Sequence, residues 1–415
     1  MNEISLSELI VRTEKSVLQM GHSQSTQYQY QMGWRELADY FCTHNQVLFC
    51  KSLAEQYLHE LKARLDARII KKWHYKLMRR TTLMTIECYE EGFVTWKYYK
   101  DSQMSHLHQT TYVLLLKDYR DFLKKVGKSS RTIEYYELFA RQFLEYLEQK
   151  KIYEINLLKL QDVSLFIPFI SKYFQPTSMR TVFSAIRSFL QYVENKHLTE
   201  LQLRNAFPNS LGRKTEVITT LTPEEEQKLL SCDCKTSVGK RNNAMLLLAL
   251  RTGLRSIDIV NLKLSDIHWK NNTIEIVQEK TGIPLILPLL AEVGNAIADY
   301  ILYGRPPSEL PYIFLRSLAP HRKLAGRASC YGISCKLMKA AGIRQTNNDR
   351  KGFHILRHSL AAKLLSKETP LPIISSILGH RDKDSTMIYL STDLVHLRTC
   401  ALGLFGIETA REELK

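Results

Sequence analysis

The feature that most constrains this chain is a repeat within its first 205 residues, which alternate long amphipathic stretches with few turn residues. "GHSQSTQYQYQMGWRELADYF" begins at Gly21 and "GKSSRTIEYYELFARQFLEYL" at Gly127. Setting Gly21 on Gly127 aligns Thr26 with Thr132, Tyr30 with Tyr136, Leu37 with Phe143 and Tyr40 with Tyr146. In each copy a Ser/Thr-rich stretch precedes an amphipathic run, as an N-cap precedes a helix. The second halves match as well, "YKLMRRTTLMTIECYEEG" against "TSMRTVFSAIRSFLQYVEN". A duplicated pattern with helical period predicts two related helical domains, 1–104 and 105–205, each closing its own core. The 415 residues leave room for a third.

That third domain announces itself in "NAFPNSLGRKTEVITTLTPEEEQKLL". Pro208, Gly212 and a basic pair mark a linker over 206–221, and Thr222 caps a helix with Pro223 first and acids in its first turn. Residues 222–415 then read as a helix, "RNNAMLLLALRTGL", followed by the β-rich "NNTIEIVQEKTGIPLILPLL". Here Ile274, Ile276 and Ile283 to Leu287 flank a turn at Lys280, Thr281 and Gly282. The remainder is helical again. The predicted fold class is mostly α, with two helical domains ahead of an α+β domain holding a small antiparallel sheet.

Charge narrows the partner. Fifty-eight Lys and Arg against 42 Asp and Glu leave +16 at pH 7. Such an excess favours a polyanion, because basic side chains that neutralise phosphates release condensed counterions. A membrane surface is also compatible with it. In "KARLDARIIKKWHYKLMRR", residues 62–80, Arg64, Arg68, Lys72, Lys76 and Arg80 fall at i+4 steps, a cationic stripe if the stretch is one helix. Lys128, Arg131 and Thr132 at the start of the second repeat, and Arg180 in its second half, join Arg64, Arg68 and Lys72 as candidate DNA contacts. The eight cysteines show no zinc-knuckle spacing and read as reduced, mostly buried thiols. No apolar run is long enough to span a bilayer and the N-terminus lacks a signal pattern, so a cytoplasmic, nucleoid-associated protein is expected.

Several short stretches of the last domain carry chemistry together. "LRTGLRSID" supplies Arg255 and Asp258, "VQEKTGIPLILPL" supplies Lys280, and "FHILRHSLAA" supplies His354, Arg357 and His358. "LGHRDKDSTMIYLSTD" supplies His380 and Tyr389. Two arginines clamp a phosphorane through rigid, permanently charged forks. A tyrosine becomes a nucleophile at pH 7 when cations or a base attend it. A lysine on a turn delivers a proton to a leaving alkoxide, and histidines hydrogen-bond a phosphate or take up a proton. Neither a carboxylate cluster for Mg²⁺ nor a phosphate-cradling glycine loop is visible. The expected chemistry needs no metal or other cofactor.

This set resembles the tyrosine recombinase (phage integrase) family, including members encoded on mobile elements. In the family pattern an arginine follows Thr-Gly-Leu with an acid three residues on, and a lysine sits in a β-hairpin eight residues before a proline. His-x-x-Arg and Leu-Gly-His come next, and a tyrosine stands nine residues after that last histidine. Arg255, Asp258, Lys280 before Pro288, His354, Arg357, His380 and Tyr389 all stand in that order and spacing. The resemblance covers 215–395 strongly and 105–205, as a core-binding domain, more weakly. It implies that Tyr389 attacks a scissile phosphate to give a 3′-phosphotyrosine and a free 5′-hydroxyl. Arg255, Arg357 and His380 would bind the phosphate oxygens, Lys280 would protonate the leaving oxygen, and His354 would act on the tyrosine proton or a phosphate oxygen. Asp258 would brace the arginines and His358 would support from behind. It also implies a homotetramer on paired DNA sites acting through a Holliday junction and a last helix, "LVHLRTCALGLF", docking in trans, and it leaves open whether other recombinases are partners. Leu394, Leu397, Ala401 and Leu404 form its stripe. In "LLSKETPLPII" prolines stand where many members turn at a glycine.

Three other readings remain open on the residues alone. One is a type IB topoisomerase, which uses a similar residue set. The second is a silent DNA-binding protein that kept the fold. The third is a zinc protein built on His354, His358 and His380.

Overall fold

A computed structural model of the chain describes residues 4–95, 99, 107–199, 202–207, 218–232, 234–346, 349–381 and 384–392. The chain divides into two compact units, 1–99 with 216–415 and 100–215. The 208–217 part of the linker and the segment "LVHLRTCALGLF" lie outside the described residues. The described residues are mostly helical, with one three-stranded antiparallel sheet.

The N-terminal residues form four helices, α1 (Leu6–Leu18), α2 (Gln24–Thr43), α3 (Lys51–Asp66) and α4 (Lys72–Glu91), around a core that includes Leu9, Leu37, Phe41, Ala54, Leu61 and Met84. The second unit repeats the plan with α5 (Thr110–Lys125), α6 (Ser130–Gln149), α7 (Leu160–Ser171) and α8 (Pro176–Asn195), closing over Tyr119, Phe143, Phe166 and Phe189. Gly21 and Gly127 both take positive φ, +71° and +73°. Ser23 and Ser129 follow as N-caps, accepting from the amides of Thr26 and Thr132. The helices that start there, α2 and α6, are both 20 residues long. The aligned Leu37 and Phe143 are each fully buried. Burying one such side chain stabilises by about 1.5–3 kcal/mol, which is how short helices that are marginal alone persist here.

The basic stretch 62–80 is not one helix. α3 ends at Asp66 and α4 starts at Lys72, with Arg68 at φ +58° between them. The amides of Arg68 and Ile69 fold back on the carbonyls of Leu65 and Arg64, a Schellman ending with arginine in the place glycine usually takes. The reversal lets Leu61 and Tyr75 both face the same core. Arg64, Arg68 and Lys72 therefore share no helical stripe. The cysteines also differ from expectation. Those described are free, but only Cys88 and Cys330 are buried.

Residues 218–392 build a helical layer around a small sheet. α9 (Pro223–Leu230) starts with a full capping box between Thr222 and Glu225. Its Glu226 is buried and bonded to Arg251 at 2.9 Å and to Lys363 at 2.5 Å. α10 (Ser237–Thr252) is apolar nearly all round, from Ala244 to Leu250, because α12 (Ala291–Tyr303) and α14 (His354–Ser366) cover it. Strands β1 (Ile267–His268), β2 (Thr273–Val277) and β3 (Pro284–Pro288) pair in sequence order, with Thr273 opposite Pro288 and Val277 opposite Pro284. Ile274 and Leu287 face the core from this hairpin, and Lys280 lies in its turn. α11 (Ser256–Asn261), α13 (Gly326–Ala340), α15 (Leu371–Leu378) and α16 (Asp384–Met387) complete the described part. In the proline-containing turn between α14 and α15, Glu368 takes the left-handed conformation at φ +57°, so the chain turns there without a glycine.

Candidate active site

Each functional side chain is placed by a helix end or a turn. α10 stops at Gly253, where φ is +64° and a Cβ would come within 2.7 Å of Leu378 and 3.0 Å of Leu360. Only glycine fits both the conformation and the space. Two residues later Arg255 stands as the N-cap residue of α11. Arg357, in the first turn of α14, is 3% exposed. Its Nη1 donates to the Gly253 carbonyl at 2.7 Å and its Nη2 to the Leu378 carbonyl at 2.8 Å. Arg255 Nη2 donates to the next carbonyl, that of Gly379, at 3.1 Å. Both guanidiniums are thereby drawn to the C-terminal end of α15, where carbonyl oxygens favour cations. Burial holds the Arg357 guanidinium down to about 10, with Arg255 adding repulsion. Arg255 is lowered in the same way by burial, against the opposing pull of Asp258.

Gln278, which no reading of the sequence had singled out, joins these parts. It is 1% exposed, and its Oε1 accepts from Arg255 Nη1 at 2.5 Å and from Thr281 Oγ1 at 2.8 Å. Its Nε2 donates to the Leu378 carbonyl at 3.1 Å. The one signal for it was a polar residue two before Lys280, at the end of an apolar strand. Asp258 was expected to brace the arginines, and its hydrogen bond goes elsewhere. Its Oδ1 accepts from the Glu279 amide at 2.9 Å, fastening the hairpin turn that carries Lys280. Burial raises the Asp258 carboxyl above its ordinary range, while that amide, Arg255 and Arg357 oppose the rise.

Tyr389 lies on a 3₁₀ turn, Ile388–Thr392, and is 1% exposed among Ala361, Leu365, Ile374 and Leu378. Its hydroxyl is 3.0 Å from His358 Nδ1, and the Arg357 guanidinium acts on it electrostatically. Burial raises the phenol above its ordinary value, and Arg357 followed by Arg255 opposes this. His380 stacks on Tyr389 with ring centroids 6.3 Å apart, and its Nδ1 is 2.7 Å from Thr386 Oγ1. Both histidines are neutral at pH 7. Burial, His354, Arg357 and Arg350 lower His358 to about 4, and burial, Arg357, Arg255, His358 and Lys280 lower His380 to about 4.

The structure thus brings Arg255, Arg357, His358, His380 and Tyr389 together from three separate stretches. Lys280 is exposed on the hairpin turn and near enough to act electrostatically on His380. His354 is exposed at the first position of α14, its ring 6.1 Å from that of His358. Both rings line a cavity of about 600 Å³ beside the site. Among the described residues no three His, Cys, Asp or Glu side chains are grouped as metal ligands, so the zinc reading finds no donor set. Chemically, the arrangement places permanently charged donors and neutral imidazoles around a phenol, as attack on a phosphodiester requires.

Lys128, Arg131 and Arg180 are exposed, and Arg131 lies 5.3 Å over the Tyr135 ring. Thr132 is half-buried, its hydroxyl 2.8 Å from that of Ser129. Arg64 is exposed, 3.9 Å from the Glu36 carboxylate. Arg68 and Lys72 are exposed in the turn and at the first position of α4. No helix among the described residues is long and apolar enough to cross a membrane.

Comparison with known proteins places these residues in a wider set. Residues 219–394 match the phage integrase family. A putative integrase/recombinase, y4rA, of Sinorhizobium fredii is 35% identical over 279 residues, 66% of this chain and 66% of that protein. A second from the same organism, y4gC, is 38% identical over 176 residues, 42% of this chain and 89% of its own length. In fold the chain is similar to the Tn1549 transposon integrase solved in complex with a circular intermediate DNA. That likeness has a TM-score of 0.53 at 17% identity and covers 68% of this chain and 99% of the other.

Proposed function

The chain belongs to the phage integrase family of tyrosine recombinases, and we propose on that premise that it cuts and rejoins DNA at specific sites for a mobile element. The observation that carries the residue roles is the convergence of Arg255 and Arg357 on Tyr389, with both guanidiniums anchored to consecutive carbonyls. A phosphate entering beside them meets two forks of N–H donors and replaces the repulsion between two buried cations by attraction.

In this reading the Tyr389 oxygen attacks phosphorus and gives a 3′-phosphotyrosine. Arg255 and Arg357 stabilise the charge on the non-bridging oxygens, and His380, held by Thr386, adds a hydrogen bond. Lys280, on an exposed turn, protonates the departing 5′-oxygen. His354, at the mouth of the site, hydrogen-bonds a phosphate oxygen. Each strand exchange conserves the phosphodiester energy in the tyrosyl ester, so no step calls on a nucleotide or a metal. Exchange of both strand pairs passes through a Holliday junction within a homotetramer.

Residues 1–104, 105–205 and 222–415 act in this scheme as three domains, with 206–221 as the linker. The positive charge of the chain and the exposed Lys128, Arg131 and Arg180 support a DNA-facing role for the second of them. The test is covalent trapping on a nicked duplex. Wild-type protein is expected to form a protease-sensitive adduct at the 3′ side of the break, with or without EDTA. A Tyr389→Phe protein that still forms it, or an adduct lost in EDTA, overturns the reading.

A further inference from the structure

We infer that His358, and not His354, is the base that takes the proton from the nucleophile. This rests on Tyr389 being the attacking residue. Three observations carry it. His358 Nδ1 is 3.0 Å from the Tyr389 hydroxyl, a hydrogen bond between the base and the reacting atom itself. The Arg357 guanidinium acts on the same oxygen and, being only a donor, offers its proton no acceptor. The phenol has a single proton. His358 Nδ1 is the acceptor that the hydroxyl reaches, so the proton points to it and Nδ1 is the unprotonated nitrogen. His354, by contrast, is exposed and its ring is 6.1 Å from that of His358, one helical turn further from the tyrosine.

The surroundings hold the imidazole ready. Burial and the nearby His354, Arg357 and Arg350 keep it neutral, so its lone pair is available at pH 7. An incoming phosphate cancels the field of Arg357, which raises the affinity of His358 for a proton at the moment of attack. The step balances. The Tyr389 oxygen bonds to phosphorus as its proton passes to His358 Nδ1, giving an imidazolium. The bond from phosphorus to the 5′-oxygen breaks, and that oxygen leaves with a proton from Lys280. Religation runs the same transfers backwards, with His358 returning its proton to the phenol.

The tautomer is read on the DNA-free full chain by ¹⁵N-histidine NMR. His358 is expected to be neutral at pH 7 with Nδ1 unprotonated, and a protonated Nδ1 would overturn the inference. The kinetics use nicked duplexes selected from a random-sequence pool by binding to the Tyr389→Phe protein. His358→Gln is expected to cleave about 10²- to 10⁴-fold more slowly at pH 7, with DNA binding retained. Because hydroxide can do the missing work, its rate should climb about tenfold per pH unit, a recovery that a packing defect would not show. His354→Gln should show no such climb. Wild-type rates in His358→Gln, a defect flat with pH, or the climb appearing in His354→Gln would each overturn the proposal alone. Failure of the wild type to trap any selected duplex would overturn the recombinase reading beneath it.

Discussion

The Gln278 amide holds Arg255 and the end of α15 at once, accepting from Arg255 Nη1 at 2.5 Å and donating to the Leu378 carbonyl at 3.1 Å. One side chain thereby couples the β-hairpin that carries Lys280, the arginine after α10 and the helix that leads to His380. Gln278→Ala should leave Arg255 Nη1 without its acceptor, held only by Nη2 on the Gly379 carbonyl, at a cost of about 1–3 kcal/mol. Thermal unfolding should shift down, and covalent trapping should slow more than DNA binding weakens. Unchanged trapping would show that Arg255 needs no such support.

Gly253→Ala meets two obstacles, a φ of +64° and a Cβ 2.7 Å from Leu378. Strain and overpacking together should destabilise by about 2–4 kcal/mol. Since the Gly253 carbonyl also receives Arg357, trapping should fall even in protein that remains folded. Chemical denaturation alongside trapping at low temperature separates the two effects.

Arg357→Lys keeps a positive charge but loses the fork. A lysine cannot reach Gly253, Leu378 and Tyr389 together, so cleavage should drop by about 10²-fold or more. A lysine variant cleaving at the wild-type rate would mean that charge alone suffices there.

Acid should unfold the protein through its active-site histidines. His358 and His380 have folded values of about 4 against about 6.5 unfolded, so between these values the unfolded chain binds more protons. Stability from these groups is complete above pH 6.5 and is lost as pH falls towards 4. The midpoint of urea unfolding should decline across that window, and His358→Gln should flatten the decline. A slope unaltered by the substitution would contradict a neutral, buried His358.

Arg131→Ala and Arg180→Ala should each weaken DNA binding without touching chemistry. If each side chain meets one phosphate, the slope of log affinity against log salt should fall by about 1 per substitution. Fluorescence anisotropy over a salt series reads this directly. A constant slope would place both residues off the DNA.

The sequence by itself determined the helical periodicity, the duplicated Gly-Ser-capped helices and the hairpin, because caps, turns and apolar spacing are local properties. It also offered a candidate reactive set, since Arg255, Lys280, His354, Arg357, His380 and Tyr389 stand at intervals that a reader can match. It misled where a continuous i+4 count ran through 62–80, because the choice to reverse at Arg68 is made by the core that Leu61 and Tyr75 must share. The partners of the reactive groups were decided only in three dimensions. Gln278 reaches Arg255 across 23 residues and His358 reaches Tyr389 across 31. Asp258 hydrogen-bonds the hairpin amide and acts on the arginines through its charge alone. Hydrogen bonds of that range depend on where helix ends meet, and helix ends meet where buried apolar surface brings them.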